Sequence, residues 1–561
     1  MDINFEAKLG GKDTAIIGSI KVKAGDNINA NDILLKVENG KINQMIKAKT
    51  DGIVDEVCVK EGDEVKLGTV LVKIKTGLNQ NVHAETEKVK IMEKEEHTDI
   101  VIIGGGPGGY VAALYAAKFN KHIIVIEENK VGGTCLNRGC IPTKTLVTAS
   151  ENYHTCKSTE EYGIHCSNIT LNMREVIQKK NTVVETLTGG IQSLLSSNNI
   201  KVINGKATFT DSKTIQVMDD SYTYKISATH IIIATGSKTA KLPIPGLDKS
   251  AILDSTSILD MVELPKSLTI IGGGVIGMEF AFIYANFGVK VNVVEYLDKI
   301  LVNLDDDLIE RIEHAAKEKN ISLYTGAKVK EIKESVQNEM ITVFEEEGQE
   351  KYIISEKILA AVGRIPNIDG LNVENINIRL NENGKGIMVN DKMQTNVEHI
   401  YAIGDVNNKI QLAHAASNQG MIAIDAIIGK NRSLKELSLV PSVIFTTPEV
   451  AMVGKTEKQL KKDNHTYKVS KFPYATNGKA LSMSKTEGFI KLIYDDTEEK
   501  LCGAAIVGED ASNLISSLCI AVQNNLTVEQ LSDVIYPHPT LGEMLQEAAL
   551  GLTIGAIHSH E

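Results

Sequence analysis

Two cysteines five positions apart, Cys135 and Cys140, lie in the segment GGTCLNRGCIPTK. In a regular helix, residues five apart have Cα atoms roughly 8 Å apart. A disulfide spans about 4.4–6.8 Å, so a bond between this pair demands a distorted backbone, which Gly139 could permit. A strained and accessible bridge is readily reduced, and a helix N-terminus or nearby cations would favour the thiolate. Two other chemistries fit such a pair. One is half of a zinc site, although no further ligands lie near in sequence. The other is a pair of inert, buried thiols. The remaining five cysteines, Cys58, Cys156, Cys166, Cys502 and Cys519, are scattered. An odd total of seven does not look like a secreted disulfide framework, and a reducing, cytoplasmic setting is expected.

Glycines mark two further candidate sites. Gly104, Gly106 and Gly109 follow the apolar run DIVII and open VAALYAAKF; Gly272, Gly274 and Gly277 follow SLTII and open MEFAFIYANFG. In such a GxGxxG the first glycine permits the tight turn and the second admits a pyrophosphate to the backbone. The third lets helix and strand pack closely, and the helix N-terminus offers N–H donors to phosphate. A single glycine-rich turn says little. Here both sit between strand and helix, and each next strand ends in an acid, Glu127 and Glu295, about 20 residues on. Those carboxylates suit a ribose 2′-hydroxyl. Glu295 would repel a 2′-phosphate, and Lys299 is the only basic residue close to it, which favours NAD over NADP.

The elements that position these residues read as strand–helix–strand units: DIVIIGGGPGG, VAALYAAKF and HIIVIEE, and again SLTIIGGGVIG, MEFAFIYANFG and KVNVVEY. From about residue 440, strands (FIKLIYDD, LCGAAIVG) precede helices (ASNLISSLCIAVQ, LGEMLQEAALG), an α+β pattern. Residues 1–76 alternate Val and Ile with polar residues between turn signals, as an all-β domain does. Within them KVKAGDNINANDILLKVE and CVKEGDEVKLGTVLVKIK form an internal repeat. Residues 77–97 are polar and charged and read as a linker. A net charge of −12 is a poor match to nucleic acid. No apolar run reaches the roughly 18 residues of a membrane helix, and the N-terminus has no basic region followed by an apolar run, so no secretory signal is expected.

Taken together, GGGPGG, GGTCLNRGCIPTK, IIIATGS, GGGVIGMEF, AVGRIPN, YAIGDV and YPHPTLGEM resemble, in order and spacing, the pyridine nucleotide–disulfide oxidoreductases over residues 99–550. The resemblance implies an α/β fold of two Rossmann-like domains for FAD and NAD, an α+β dimerisation domain, and an active homodimer with shared sites. It divides the chain into 98–246 and 367–438 for FAD, 247–366 for NAD and 439–561 for dimerisation. It places FAD on Gly104, Gly106, Gly109, Glu127, Lys144, Thr235, Gly236, Asp405 and Ala413. NAD falls on Gly272, Gly274, Gly277, Glu295 and Gly363. By the same match Cys140 faces the flavin, Cys135 exchanges with substrate, and Lys144 pairs with Glu279 beside the flavin ring. His538 and Glu543 form an acid–base pair that reaches the other subunit's disulfide. A neutral His serves as a base near pH 7, and a carboxylate orients it. No metal is expected.

Within the family, Glu295 and the absence of C-terminal cysteines point to members that oxidise dihydrolipoyl groups. The expected partners are lipoyl-domain proteins of a 2-oxo acid, acetoin or glycine-cleavage complex; an NADH-dependent reductase of another disulfide is the alternative. The N-terminal domain resembles lipoyl and biotinyl carriers, which display a modified Lys at a hairpin tip. Lys41, after the Asn39-Gly40 turn signal, holds that place and is expected to carry lipoate, although Gly40 and Ile42 match neither carrier's usual flanks. An unmodified surface lysine is the plain alternative.

Overall fold

The computed structural model describes residues 2–4, 14–29, 32–39, 42–66, 68–75, 92–219, 222–336, 339–434 and 436–559. The chain divides into two compact units, Met1–Lys90 and Ile91–Glu561.

In the first unit, alternating Val, Leu and Ile residues build two antiparallel four-stranded sheets. One runs in the order Asp2–Asn4, Val70–Lys75, Gly52–Val57, Asn27–Ile28. The other runs Ile42–Lys47, Ile33–Asn39, Thr14–Ile20, Glu64–Lys66. Ile17, Leu34, Leu35, Val37, Leu71 and Val72 fill the core. The sequence repeat is a structural one. Asp26 Oδ2 accepts from Lys23 N at 2.9 Å and Asp63 Oδ2 from Lys60 N at 2.8 Å. Gly25 N donates to Val54 O and Gly62 N to Ile17 O, both at 2.8 Å. Each Gly-Asp turn is thus held by the other half of the domain. Lys41 and Gly40 lie outside the described residues; the strands on either side of them pair Asn39 with Ile42.

The second unit carries three principal sheets. Four parallel strands run in the order Lys201–Asn204, Ile123–Glu127, Met92–Ile103, Tyr222–Ile233. Tyr222–Ile233 is long enough to serve two partners besides Met92–Ile103. Its first half begins an antiparallel meander with Thr214–Met218 and Lys206–Asp211, and its end pairs with Ile400–Ala402. A second sheet, parallel throughout, runs Leu253–Asp254, Lys357–Ala360, Ser267–Ile271, Lys290–Val294, Ser322–Tyr324. It therefore interrupts the first, which resumes at Ile400. The third, antiparallel, runs Ser442–Ile444, Glu449–Gly454, Lys500–Gly508, Phe489–Asp495, Tyr467–Pro473. Its core joins Ile506 and Leu492 to Ile515 and Leu518 of the helix Ala511–Gln523.

One boundary differs from the sequence reading. The strand Met92–Ile103 begins inside the 77–97 segment read as linker, and Met92 to His97 pair in register with Tyr222 to Ser227. The first residues of this strand, MEKEEH, lack apolar alternation. Cross-strand polar contacts hold them instead: Lys94 Nζ lies 3.3 Å from the Tyr222 ring centroid, and Glu96 pairs with Lys201 at 2.5 Å. Among the described residues no helix is long and apolar enough to cross a membrane.

Candidate active site

The cysteine pair sits where a helix breaks. Gly133–Arg138 forms one short helix and Cys140–Cys156 a second, with Gly139 between them. A Cβ on Gly139 would lie 2.9 Å from Thr134 O, so a side chain there is excluded by the backbone itself. The helix does not run through, and the two thiols are near enough to influence each other's ionisation. They are electrostatically unequal. The neighbouring Cys140 thiol and burial push the Cys135 thiol up. Cys140, next to the Cys135 thiol and Lys144 and at the first position of its helix, is lowered to about 7. Among the described residues, no group of three or more metal-ligating side chains includes either cysteine.

Lys144, one turn into the same helix, is anchored by both oxygens of Glu279 at 2.9 and 2.8 Å. Glu279 is buried and also accepts from Phe445 N at 3.0 Å, while Lys144 Nζ lies 4.2 Å from the Phe445 ring centroid. The ion pair expected from the family motifs therefore forms, and the chain adds a third member, Phe445, that no motif announced.

The two glycine turns provide a test of whether nucleotides fit. Gly104 has φ +107° and its Cβ would lie 2.3 Å from Ala234 O; a Cβ on Gly109 would lie 1.9 Å from Gly104 O. Gly272 (φ +110°) and Gly277 repeat both restrictions, at 2.4 and 1.9 Å. Protein packing thus requires the first and third glycines. It does not require the second. Gly106 and Gly274 have ordinary extended backbone, and a Cβ would meet nothing closer than 3.8 Å at Gly106 and nothing within 4 Å at Gly274. Each caps a helix whose first N–H groups receive no side-chain cap. Glycine there leaves an open, donor-lined cradle of the kind a pyrophosphate fills. Glu127 and Glu295 do more than the sequence reading assigned them. Glu127 accepts from Gly105 N and Asn129 N at 2.7 and 2.9 Å, and Glu295 from Gly273 N and Leu297 N at 2.5 and 2.7 Å. Each clamps the glycine turn to the end of the next strand.

Asp405 lies in the turn Gly404–Asn407, and its Oδ2 accepts from Ser237 Oγ at 2.6 Å. Burial pushes its carboxyl above the usual range, against the lowering effects of Ser237 and Arg364. Thr235 donates to Asn367 O at 2.6 Å, Gly236 adopts φ +67°, and Ala413 opens the uncapped helix Ala413–Ile427. Gly363 is exposed, with φ +98° and open space at its Cβ position.

His538 Nδ1 and Glu543 Oε1 are 2.8 Å apart, and Glu543 Oε2 accepts from Thr540 N at 2.8 Å. Burial raises the Glu543 carboxyl, but Thr540 and His538 outweigh it and hold the group low, which keeps it ionised beside the imidazole. The His538 side chain is 80% exposed. Among the described residues it makes no hydrogen bond to Cys135 or Cys140. One acidic cluster, Asp305, Asp307 and Glu457, has the spacing of a cation site, but the buried ammonium of Lys491 already occupies it at 2.8–3.1 Å.

Residues 98–420 match the pyridine nucleotide-disulphide oxidoreductase family, and residues 440–549 match that family's dimerisation domain. The chain belongs to this family. Residues 8–74 match a biotin/lipoyl family described as "Biotin-requiring enzyme". Among curated proteins, a dihydrolipoyl dehydrogenase of Bacillus subtilis is 40% identical over 454 residues, 81% of this chain and 96% of its own. One from Geobacillus stearothermophilus is 39% identical over 452 residues, 81% and 95%. Among solved structures, LpdA of Mycobacterium tuberculosis superposes with a TM-score of 0.76 at 28% identity, covering 81% of this chain and 99% of that one. The HOCl-induced flavoprotein disulfide reductase RclA of Escherichia coli gives 0.72 at 31%, covering 80% and 99%. FAD and NAD are the cofactors of the dihydrolipoyl dehydrogenases.

Proposed function

We propose that the chain oxidises protein-bound dihydrolipoyl groups with NAD: dihydrolipoyl dithiol and NAD⁺ give lipoyl disulfide, NADH and a proton. The observation that carries the chemistry is the cysteine pair set on either side of the helix break at Gly139, with Lys144 held by Glu279 one turn beyond Cys140. The same substrate class is named for relatives spanning 81% of the chain. FAD, when bound, supplies the two-electron acceptor between the dithiol and the nicotinamide; Gly104, Gly106, Gly109, Glu127, Thr235, Gly236, Asp405, Ala413 and Lys144 would hold it, and Gly272, Gly274, Gly277, Glu295 and Gly363 would hold NAD.

The residues divide the thiol chemistry as follows. With Cys135 and Cys140 bridged, a substrate thiolate attacks Cys135 Sγ. The Cys135–Cys140 bond breaks and Cys140 leaves as a thiolate, a departure eased by its low pKa and by Lys144. The second substrate sulfur then attacks the sulfur bound to Cys135, which closes the lipoyl disulfide and releases Cys135. Two substrate protons are displaced; one ends on Cys135 and the other on His538, whose protonated ring Glu543 steadies. Two electrons pass from the substrate to the cysteine pair. The exposed His538 and the match of residues 440–549 to a dimerisation domain support a homodimer in which a second copy supplies the base. Its partners are lipoyl-domain proteins of a 2-oxo acid, acetoin or glycine-cleavage complex, in the cytoplasm, and Lys41 is the position where its own N-terminal domain would carry lipoate.

The test is a paired assay of the purified protein, NAD with dihydrolipoamide against NADPH or NADH with glutathione disulfide. Turnover confined to the first pair is expected. Faster turnover with the second pair would make the enzyme a reductase of another disulfide.

A further inference from the structure

The polypeptide leaves the FAD sheet through Ser237–Thr239 and returns from the nicotinamide sheet through Arg364–Pro366. These two crossings pair with each other as an antiparallel ribbon, Ser237 opposite Pro366 and Thr239 opposite Arg364. Thr235 to Asn367 O at 2.6 Å, Asn367 N to Gly236 O at 2.9 Å and Ala240 N to Gly363 O at 3.0 Å extend the ribbon at both ends. Arg364 reaches across it. Its Nε donates to Ser237 Oγ at 2.8 Å and its Nη2 to Ser237 O at 2.7 Å. Ser237 Oγ in turn donates to Asp405 Oδ2 at 2.6 Å.

A serine hydroxyl has one proton to give. With the Arg364 guanidinium filling an acceptor position, the Ser237 proton is directed to Asp405, and the cationic donor polarises that bond. Among the described residues Arg364 forms no ion pair with a carboxylate; its charge lowers the Asp405 carboxyl across the ribbon, and its hydrogen bonds hold the serine that donates to Asp405. Among the described residues only Oδ2 of Asp405 accepts a side-chain hydrogen bond, and a hydroxyl of a bound ligand would use Oδ1. We infer that Arg364 and Ser237 are positioning residues for the FAD site: together they fix the rotamer and charge of Asp405. Because Arg364 lies on the returning strand, retention of FAD depends on a residue delivered by the nicotinamide domain.

This rests on the reading that Asp405 faces FAD. Full-length protein would be deflavinated and reconstituted with FAD, and the dissociation constant followed by flavin fluorescence, for wild type, Arg364→Met, Arg364→Lys, Ser237→Ala and the Met–Ala double variant. Arg364→Met and Ser237→Ala should each weaken FAD about tenfold or more. The double variant should lose less than the sum of the two single losses, because both disturb the same Ser237 link. Arg364→Lys should recover part of the loss, since it keeps the charge but not the planar fork. Circular dichroism of the deflavinated proteins should be superposable, separating the effect from misfolding. Wild-type affinity in Ser237→Ala, or additive losses in the double variant, would overturn the relay with the FAD reading intact. A wild-type chain that takes up no FAD would instead remove the reading beneath it.

Discussion

At the scale of single residues, the two cysteines are chemically distinct although the sequence presents them alike. The largest influence lowering Cys140 is the hydrogen bond from Cys135, followed, among the lowering contributions, by the charge of Lys144; burial and Glu279 oppose them. A thiol lowered to about 7 is a thiolate above that pH and a thiol below it. In dithiothreitol-reduced protein, alkylation of Cys140 should therefore rise with pH through a midpoint near 7. Cys135→Ala should move that midpoint up most, because it removes the largest lowering influence, and Lys144→Met should move it up less. The position of alkylation is read by peptide mass spectrometry across a pH series, and an unchanged midpoint in both variants would refute this account of the pair. Cys135, Cys140, Lys144 and Glu279 were legible because reactive side chains recur in recognisable motifs. Ser237 and Arg364 stood inside quoted motifs with no role attached, since a serine and an arginine 127 positions apart acquire meaning only when two strands cross beside each other.

At the scale of elements, the glycine turns separate packing from binding. Gly274→Ala puts a methyl into open space at a helix N-terminus with ordinary backbone. It should leave thermal stability unchanged and raise the KM for NAD by an order of magnitude or more. Gly277→Ala drives a methyl to 1.9 Å from Gly272 O and should cost roughly 1–3 kcal/mol of stability, the range for overpacking. Thermal unfolding and NAD kinetics on the two variants check both halves. Equal destabilisation would mean that the cradle at Gly274 is a packing feature. Lys491 is the converse case. In FIKLIYDD it reads as a polar residue on a strand, yet it is fully buried against Asp305, Asp307 and Glu457. Asp305 also accepts from Glu457 N and Lys458 N, both at 3.1 Å, so the ammonium joins the nicotinamide part to the dimerisation sheet. Lys491→Met would remove the buried ammonium shared by the three carboxylates, leaving Asp305 with backbone donors alone, and should cost about 3–5 kcal/mol in denaturant unfolding. No periodicity could reveal this, because that burial arises when two separately patterned domains meet.

At the scale of the whole molecule, the sequence located the β-rich N-terminal domain and its repeat, the two nucleotide-binding units and the C-terminal sheet, each of which has an apolar pattern of its own. It misplaced the end of the linker, because MEKEEH carries charge where a strand usually alternates. That difference yields a truncation experiment. A chain starting at residue 92 keeps the whole strand Met92–Ile103, whereas one starting at residue 98, the boundary suggested by apolar patterning, loses its first six residues. Those residues pair with Tyr222 to Ser227, cover the Tyr222 ring with Lys94 and bind Lys201 through Glu96. Their loss also bares an edge of the Tyr222–Ile233 strand, which is joined to the cysteine-bearing half of the FAD sheet through Met92–Ile103. The longer truncation should therefore unfold at lower denaturant, by on the order of 2 kcal/mol or more from the lost ladder hydrogen bonds and side-chain contacts. The shorter one should match the full chain in stability and in turnover of free dihydrolipoamide, because the N-terminal unit folds around its own core. Two truncations of equal stability would show that residues 92–97 behave as linker after all.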